Sequence, residues 1–379
     1  MEVILASDDD LRRMYLNLRP GEEKSYVSYF NGNVLPLTVR GVLDAIPQAA
    51  TDKVHELLAS CPKIKMDRVH VGGSFGRRTL VRGAFDVDLT VFVNSYNGQV
   101  MRFDQWTEQT LINMQRDVAA WLRTKGWNVV EVEYGAHYKN CLSVTVLVNG
   151  RVEVEVDIKL AANVVQGSQE PNRGKAQRDA LMAALWDTPA AQRRADPARE
   201  AALAEALTAV VKDTSDRVKS VARLLKSWYK YGLKRDIPHV PSVLLEVVTL
   251  AAAGQVNMDA REAGVLLLLK ALELLDAAAS GREVVVLEAG PKWGYTRAQA
   301  NSCAHVWQWD AVKVLHPIDP TCNLARPKTG GRVIYWSSLA QEARDLRDVI
   351  KTRSMWDLLY GSSSSLAPAI QAMGAAAVA

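Results

Sequence analysis

Long apolar runs are missing from this 379-residue chain. Its greasiest stretch, AGVLLLLKALELLDAAA, is interrupted by Lys270 and Glu273, so no segment suits a bilayer core. Cysteine is sparse: Cys61, Cys141, Cys303 and Cys322 lie far apart, with no CxxC pair. That spacing excludes a disulfide framework and reads as reduced thiols. Cys303 and His305 would make half of a zinc site, but no second pair completes the four ligands of a closed one. Excess charge is also scarce, at a formal +4 and a pI near 8.8. So mild a balance does not by itself indicate nucleic-acid binding, and the distribution of charge has to decide. A cleavable leader pattern is absent too, since MEVILASDDD turns acidic almost at once. The expectation is a soluble monomer, cytoplasmic with the nucleus as an alternative, and without a membrane partner.

What is present is an ordinary globular composition, 48% hydrophobic and 23% charged, with enough length for two or three domains at roughly 150 residues each. Strand patterns fall at 69–72, 86–93, 128–133, 142–148 and 152–158, with a 3.6-period helix at about 104–125 between them. Asn149-Gly150 between two alternating runs predicts a hairpin with a type I′ turn. After residue 170 the pattern becomes almost wholly helical, with helices near 217–231, 242–253 and 260–279. The segment around 186–200, with Pro189 and Pro197, reads as an exposed connector. The predicted architecture is α+β: a mixed-sheet lobe over 1–168, a helical lobe over 169–360, and a cleft between them. The low-complexity end, 361–379, is expected to fray.

The chemistry concentrates in GGSFGRRTLVRGAFDVDLTVFV, residues 72–93. Side chains alternate along a strand, so Asp86 and Asp88 project from one face while Val87, Leu89, Val91 and Val93 point to the other. Two carboxylates so close repel, and a divalent cation removes the penalty; Mg²⁺ takes one or two carboxylates together with phosphate oxygens. The strand 152–158 supplies a third acid, Asp157, if it lies beside the first pair. Two metals about 3.5–4 Å apart would then clamp the attacking and leaving oxygens of an in-line displacement. Upstream, Gly72 and Gly73 allow backbone N–H groups to approach phosphate, Ser74 adds a hydroxyl, and Arg77 adds charge. The loop fits neither a Walker A nor GxGxxG, which excludes P-loop ATPases and dinucleotide dehydrogenases. Alone, a Gly-Gly-Ser turn or a DxD is usually a hairpin or a solvated strand edge; their conjunction points to catalysis.

The same stretch resembles the Gly-Ser loop and acid pair of template-independent nucleotidyltransferases, with a polymerase-beta-like catalytic lobe. More narrowly it is similar to the 2′-5′-oligoadenylate synthetases and the cyclic GMP-AMP synthase-like enzymes. VEVEVDIKLA resembles the strand ending in that family's third aspartate, which places the role on Asp157. DRVKSVARLLKSWYKYGLK resembles the helix opening the helical lobe, and HPIDPTCNLARP with WSSLAQEARDL resembles the C-terminal signature of oligoadenylate synthetases. The resemblance implies polymerisation of ATP through 2′-5′ bonds with release of pyrophosphate. It also implies two Mg²⁺ ions (Mn²⁺ as a substitute), activation by double-stranded RNA, and a role in innate antiviral defence. GTP is a possible second substrate. At the start of the helix matching VPSVLLEVVTL, where the family carries an aromatic that stacks on the donor base, this chain has Ser242 and Val243. Two rivals stand beside this reading: a cyclic dinucleotide synthase, and a catalytically silent RNA sensor.

Basic residues Lys219, Arg223, Lys226 and Lys230 fall at helical spacing, a stripe that reads as a solvated face or a functional one. In the functional reading Arg217 and Lys219 reach the triphosphate across the cleft. Lys212, with Arg68, Lys63 and Lys65, then forms a surface that meets RNA phosphates without reading sequence. Trp228 sits on the apolar stripe and is expected in the core, and Asp319 and Asn323 are expected to cap a turn.

Overall fold

The computed structural model describes residues 30–35, 45–81, 87–131, 141–148, 152–166, 172–233, 237, 240–288, 293–326, 335–352 and 364–375. Asp86 and the Asn149-Gly150 turn lie outside the described residues. The central sheet contains β1 (Ile64–Val71), β2 (Val87–Tyr96), β3 (Gln99–Val100), β4 (Val129–Glu131), β5 (Leu142–Val148) and β6 (Val152–Ala162). Its order is β1-β2-β6-β5-β4, with β3 paired to β2. The β2–β6 pair is parallel and the others are antiparallel, so the sheet is mixed, as the sequence pattern predicts.

Alternation fixes which face is which. Val87, Leu89, Val91 and Val93 of β2 are buried, as are Val154, Val156, Ile158 and Leu160 of β6 and Val144, Val146 and Val148 of β5. Helix α1 (Ala45–Ala59) packs across β1, β2, β5 and β6 and adds Val54 and Leu58 to this core. A one-residue slip of β2 would exchange its valines for Asp88, Thr90 and Asn94, and the hydrophobic effect opposes that strongly. Helix α2 (Glu108–Thr124) begins where Thr107 accepts a hydrogen bond from the Thr110 backbone N–H, somewhat inside the predicted start.

Among the described residues the rest is mostly helical, with α3 (Arg173–Asp187), α4 (Pro197–Ala202), α5 (Ala204–Lys212), α6 (Asp216–Ser227), α7 (Ser242–Ala253), α8 (Ala263–Ala279) and α9 (Trp336–Thr352), and one short parallel pair, Val284–Val285 with Lys313–Val314. Helix α8, the greasy stretch noted above, is buried nearly all round and packs on α6, α7 and α9, which is where a helix without a polar face belongs. Among the described residues no helix is long and apolar enough to cross a membrane.

Two expectations are corrected here. The C-terminal segment is not frayed over 364–375: Leu366–Ala375 forms α10, which packs on α6 and on the π-helical turn Trp228–Gly232 that follows it. Leu366, Ala369 and Ile370 are buried at helical spacing, and Ser365 accepts a hydrogen bond from the Trp228 indole at 2.9 Å. A side chain at Gly232 would lie 1.9 Å from the Ser365 carbonyl oxygen, so this glycine is what allows the two backbones to meet. The basic stripe is not a solvated face over α6 either, although Lys230, in the turn that follows, is exposed. Lys219, Arg223 and Lys226 are all buried, each engaged by oxygen atoms of neighbouring segments. Trp228 is fully buried, as its place on the apolar stripe predicts.

Candidate active site

Parallel pairing sets Asp88 of β2 directly beside Asp157 of β6, and Thr90 beside Lys159 one pleat further along. Ser143 of β5 is the next residue across from Asp157. Because alternate residues share a face, Asp88, Thr90, Asp157 and Lys159 form one polar patch on the side opposite the valine core.

The Gly-Ser turn folds onto this patch. Gly72 donates its N–H to the Asp88 carbonyl at 2.8 Å, and Gly73–Gly76 makes a single helical turn. Gly73 has φ +55°, and a Cβ there would sit 1.8 Å from Asp88 Oδ2. The Asp88 carboxylate therefore occupies the space that a side chain at 73 would need. Arg78 also lies in the left-handed region, at φ +59°, where glycine is the unstrained residue. Arg223 holds it there by donating to the Arg78 carbonyl at 2.7 Å.

Behind the turn lies a buried polar network that joins the lobes. Arg77 Nε donates to Glu246 Oε2 at 2.5 Å, and Thr79 Oγ1 donates to Glu246 Oε1 at the same distance. Lys226 Nζ donates to Glu246 Oε1 at 2.9 Å, to the Thr79 carbonyl at 2.8 Å and to Ser74 Oγ at 2.8 Å. Burial works against the Glu246 carboxylate, yet Arg77 and Lys226 outweigh it and hold its pKa below the usual range. Glu246 stays ionised with no exposed surface. Sequence reading missed this group. The available signal is a lone acid in the apolar run LLEVVTL, which demands a buried cation somewhere in the fold.

A cavity of about 550 Å³ opens over the patch. Its walls are the Gly-Ser turn, Glu200 of α4, Leu207 and Thr208 of α5, Pro241 to Val243 at the start of α7, and the turn from His316 to Arg326. Predicted residues Gly72, Gly73, Ser74, Arg77, Asp88, Asp157 and Ser242 all line it. The segment read as an exposed connector is mostly exposed over 187–197 and leads into α4, and its end joins the wall through Glu200. Asp196 caps α4, and buried Arg199 donates to Asp319 Oδ2 at 2.7 Å and to Thr321 Oγ1 at 2.7 Å, fastening α4 to the far turn. Asp319 and Asn323 act as the expected caps: Asp319 Oδ1 accepts from the Thr321 N–H, and Asn323 Oδ1 from the Val314 and Ala325 N–H groups. His316 Nδ1 accepts from the Ile318 and Asp319 N–H groups, and burial lowers its pKa, so the ring is neutral.

Other predicted contacts are placed elsewhere. Arg217 donates to the Met258 and Ala260 carbonyls, tying α6 to the start of α8. Lys219 donates to the Lys212 carbonyl and pairs with Asp216 at 3.1 Å. Neither lines the cavity. Arg68 is held by Glu205 at 2.8 Å through both Nε and Nη2, reaches Asp67 at 2.8 Å, and lies 3.9 Å over the Phe92 ring. That is a tie between β1 and α5 rather than a free cation. Lys65 and Lys212 are exposed, and Lys63 lies 3.9 Å from Asp117.

Asp88, Asp157 and Ser143 set oxygen donors side by side on adjacent strands, which suits Mg²⁺. Among the described residues no three acidic, histidine or cysteine side chains are grouped as a metal site, and the third expected ligand, Asp86, lies outside those residues.

No family model matches the chain, and no curated protein matches it. Solved structures do. The Cid1 poly(U) polymerase with MgGTP bound is 13% identical with a TM-score of 0.55, over 91% of this chain and 99% of that one. A cytoplasmic RNA terminal U-transferase is 12% identical with a TM-score of 0.53, over 90% and 98% of the two chains. CdnC of E. coli MS115-1, in its complex with HORMA-deltaN, is 17% identical with a TM-score of 0.49, over 96% and 99%. The mixed sheet with its surrounding helices is the polymerase-beta-like nucleotidyltransferase fold, present here over nearly the whole chain.

Proposed function

We propose that the protein is a metal-dependent nucleotidyltransferase that transfers a nucleotide from ATP to the hydroxyl of an acceptor nucleotide. The carrying observation is the in-register pair Asp88 and Asp157, with the Gly-Ser turn folded onto the first of them. In the reaction the acceptor oxygen forms a bond to the α-phosphorus, the bond to the pyrophosphate oxygen breaks, and pyrophosphate leaves with that electron pair. The Gly72–Ser74 turn holds the triphosphate, and Arg77, tied to Glu246, fixes the turn and adds its positive field. Asp157, buried on the far side of Asp88, sits on the acceptor side. Two Mg²⁺ ions, or Mn²⁺ in their place, would be held by Asp86, Asp88 and Asp157, neutralising the phosphates and acidifying the attacking hydroxyl. The finer reading is synthesis of 2′-5′-linked oligoadenylates, with duplex RNA on exposed Lys63, Lys65 and Lys212 as activator. It rests on the sequence resemblance.

A second reading, synthesis of a cyclic dinucleotide, is favoured by one observation. Among the described residues lining the cavity none is Phe, Tyr or Trp, and Ser242 and Val243 occupy the start of α7, so a base there meets no large stacking ring.

Purified protein incubated with ATP, with or without GTP, Mg²⁺ and duplex RNA, and products resolved by mass and nuclease digestion, tests both readings. Linear 2′-5′ oligomers support the first and phosphatase-resistant cyclic products the second. Asp157→Asn is expected to cut turnover by roughly a thousandfold or more at unchanged melting temperature, because this chemistry is positioning and charge neutralisation. Wild-type turnover in that variant would sink the assignment.

A further inference from the structure

Three basic side chains line the cavity among the described residues: Arg77, Lys159 and Arg326. Arg77 is committed to Glu246, and Arg326 pairs with Asp310 at 2.8 Å and donates to the Val306 carbonyl. Lys159 is different. It is only half-buried, it opens on the cavity, and it makes no hydrogen bond or ion pair with the described residues.

Its position follows from the sheet. The order β1-β2-β6 puts the Gly-Ser turn, which leaves β1, on one flank of Asp88 and puts β6 on the other. Lys159 stands two residues beyond Asp157 on the same face, about 7 Å further along the strand. With the donor triphosphate at the turn, as proposed above, Lys159 lines the part of the cavity left for the acceptor. A lysine is a compact, strongly hydrated charge that gains most when an anion replaces its water.

We propose that Lys159 binds a phosphate carried by the acceptor, so that the preferred acceptor is a phosphorylated nucleotide rather than a nucleoside. The inference rests on the nucleotidyl-transfer reading above and names its acceptor class. A lysine two residues from Asp157 is also a ready counter-ion for that carboxylate, and the test separates the two roles. A counter-ion would change the rate with every acceptor alike, whereas a phosphate ligand changes only the preference between acceptors.

The donor is 2′,3′-dideoxy-ATP, which has no hydroxyl to attack with, and the acceptors are AMP and adenosine. The wild type is expected to favour AMP in kcat/KM by about tenfold to a hundredfold, the value of a charge-assisted contact. In Lys159→Met that ratio falls towards one, through the KM for AMP, and Lys159→Arg restores most of it. An unchanged ratio in Lys159→Met overturns the proposal, as does a ratio near one in the wild type. Calorimetry with the donor site filled by a non-hydrolysable dideoxy analogue reads the lysine without turnover. Tighter binding of AMP than adenosine that disappears in Lys159→Met upholds it, and equal binding overturns it. If the binding difference is present but neither acceptor is extended, the lysine assignment stands and nucleotidyl transfer fails.

Discussion

Arg77 and Glu246 meet at 2.5 Å although 169 positions separate them in the chain. One stands in the turn that faces the cavity, the other in the middle of α7, and Lys226 of α6 closes the group from the third side. The helical lobe thus sets the shape of the Gly-Ser turn directly, through Ser74 and Thr79.

Removing the shared carboxylate leaves two buried cations without their anion. Glu246→Gln is therefore expected to destabilise the protein by about 3–5 kcal/mol, read as the free energy of urea unfolding. The surviving folded fraction should bind ATP more weakly, because Lys226 then has only the turn to hold. An unfolding free energy equal to the wild type would show that the network carries no stability.

Gly73→Ala tests the close approach of the turn to β2. The new methyl would fall on Asp88 Oδ2 and the backbone would be forced to keep φ +55°. Activity should fall by roughly a hundredfold or more while stability falls by only about 1–3 kcal/mol, the usual cost of a strained backbone position. Full activity would place the Asp88 carboxylate away from the chemistry.

His70 gives a pH signature. Burial lowers its pKa to about 4, with Glu205 partly opposing, and its Nε2 lies 2.9 Å from Thr208 Oγ1. The folded pKa lies below the unfolded value near 6.5, so the unfolded chain binds the proton more readily in between. Stability contributed by the neutral ring is complete above about pH 6.5 and declines as pH falls towards 4, by at most about 1.4 kcal/mol per unit. The stability difference between wild type and His70→Gln should shrink across that window, and a difference that stays constant would refute the shift.

The basic residues separate into two sets by solvent contact. Arg68→Ala should lower the melting temperature, since it strips Glu205 of its bidentate partner and Phe92 of its cover. Lys63→Ala, Lys65→Ala and Lys212→Ala should leave melting unchanged. If duplex RNA binds there, they should weaken it and flatten its salt dependence by about one counterion per lysine. Equal RNA affinity in the triple variant would remove this surface from consideration.

The sheet and its two acids were legible because their information is local. Alternation in VEVEVDIKL and FDVDLTVFV sets which face is apolar and puts Asp88 and Asp157 on the opposite one, but it does not set the parallel register that brings them side by side. The stretch 142–148 forms a strand at the predicted bounds, and 242–253 a helix at the predicted bounds. The role of α6 was not legible. A stripe of Lys219, Arg223 and Lys226 looks the same on a helical wheel whether water or a distant carboxylate receives it, and Glu246 lies 20 positions away from Lys226 on another helix. The tail misled for a related reason. Alanine-rich, serine-rich composition lowers the hydrophobic signal, yet Leu366, Ala369 and Ile370 are buried, and Gly232 leaves room for the Ser365 carbonyl that precedes α10. Lys159 needed only one more step of the alternation that identified Asp157.

The sheet order has a consequence for how the chain reaches this state. Strand β6 is last to leave the ribosome among the sheet strands of this lobe, yet it slots between β2 and β5. Until it arrives, two halves of the sheet, β1-β2 and β4-β5, each present an open edge of unpaired backbone groups. Such edges invite pairing with other chains. The strand that delivers Asp157 and Lys159 is thus also the keystone of the sheet. The assembled polar face and the protected sheet come into being in the same folding step, so a chain stalled before β6 has neither and is prone to aggregate.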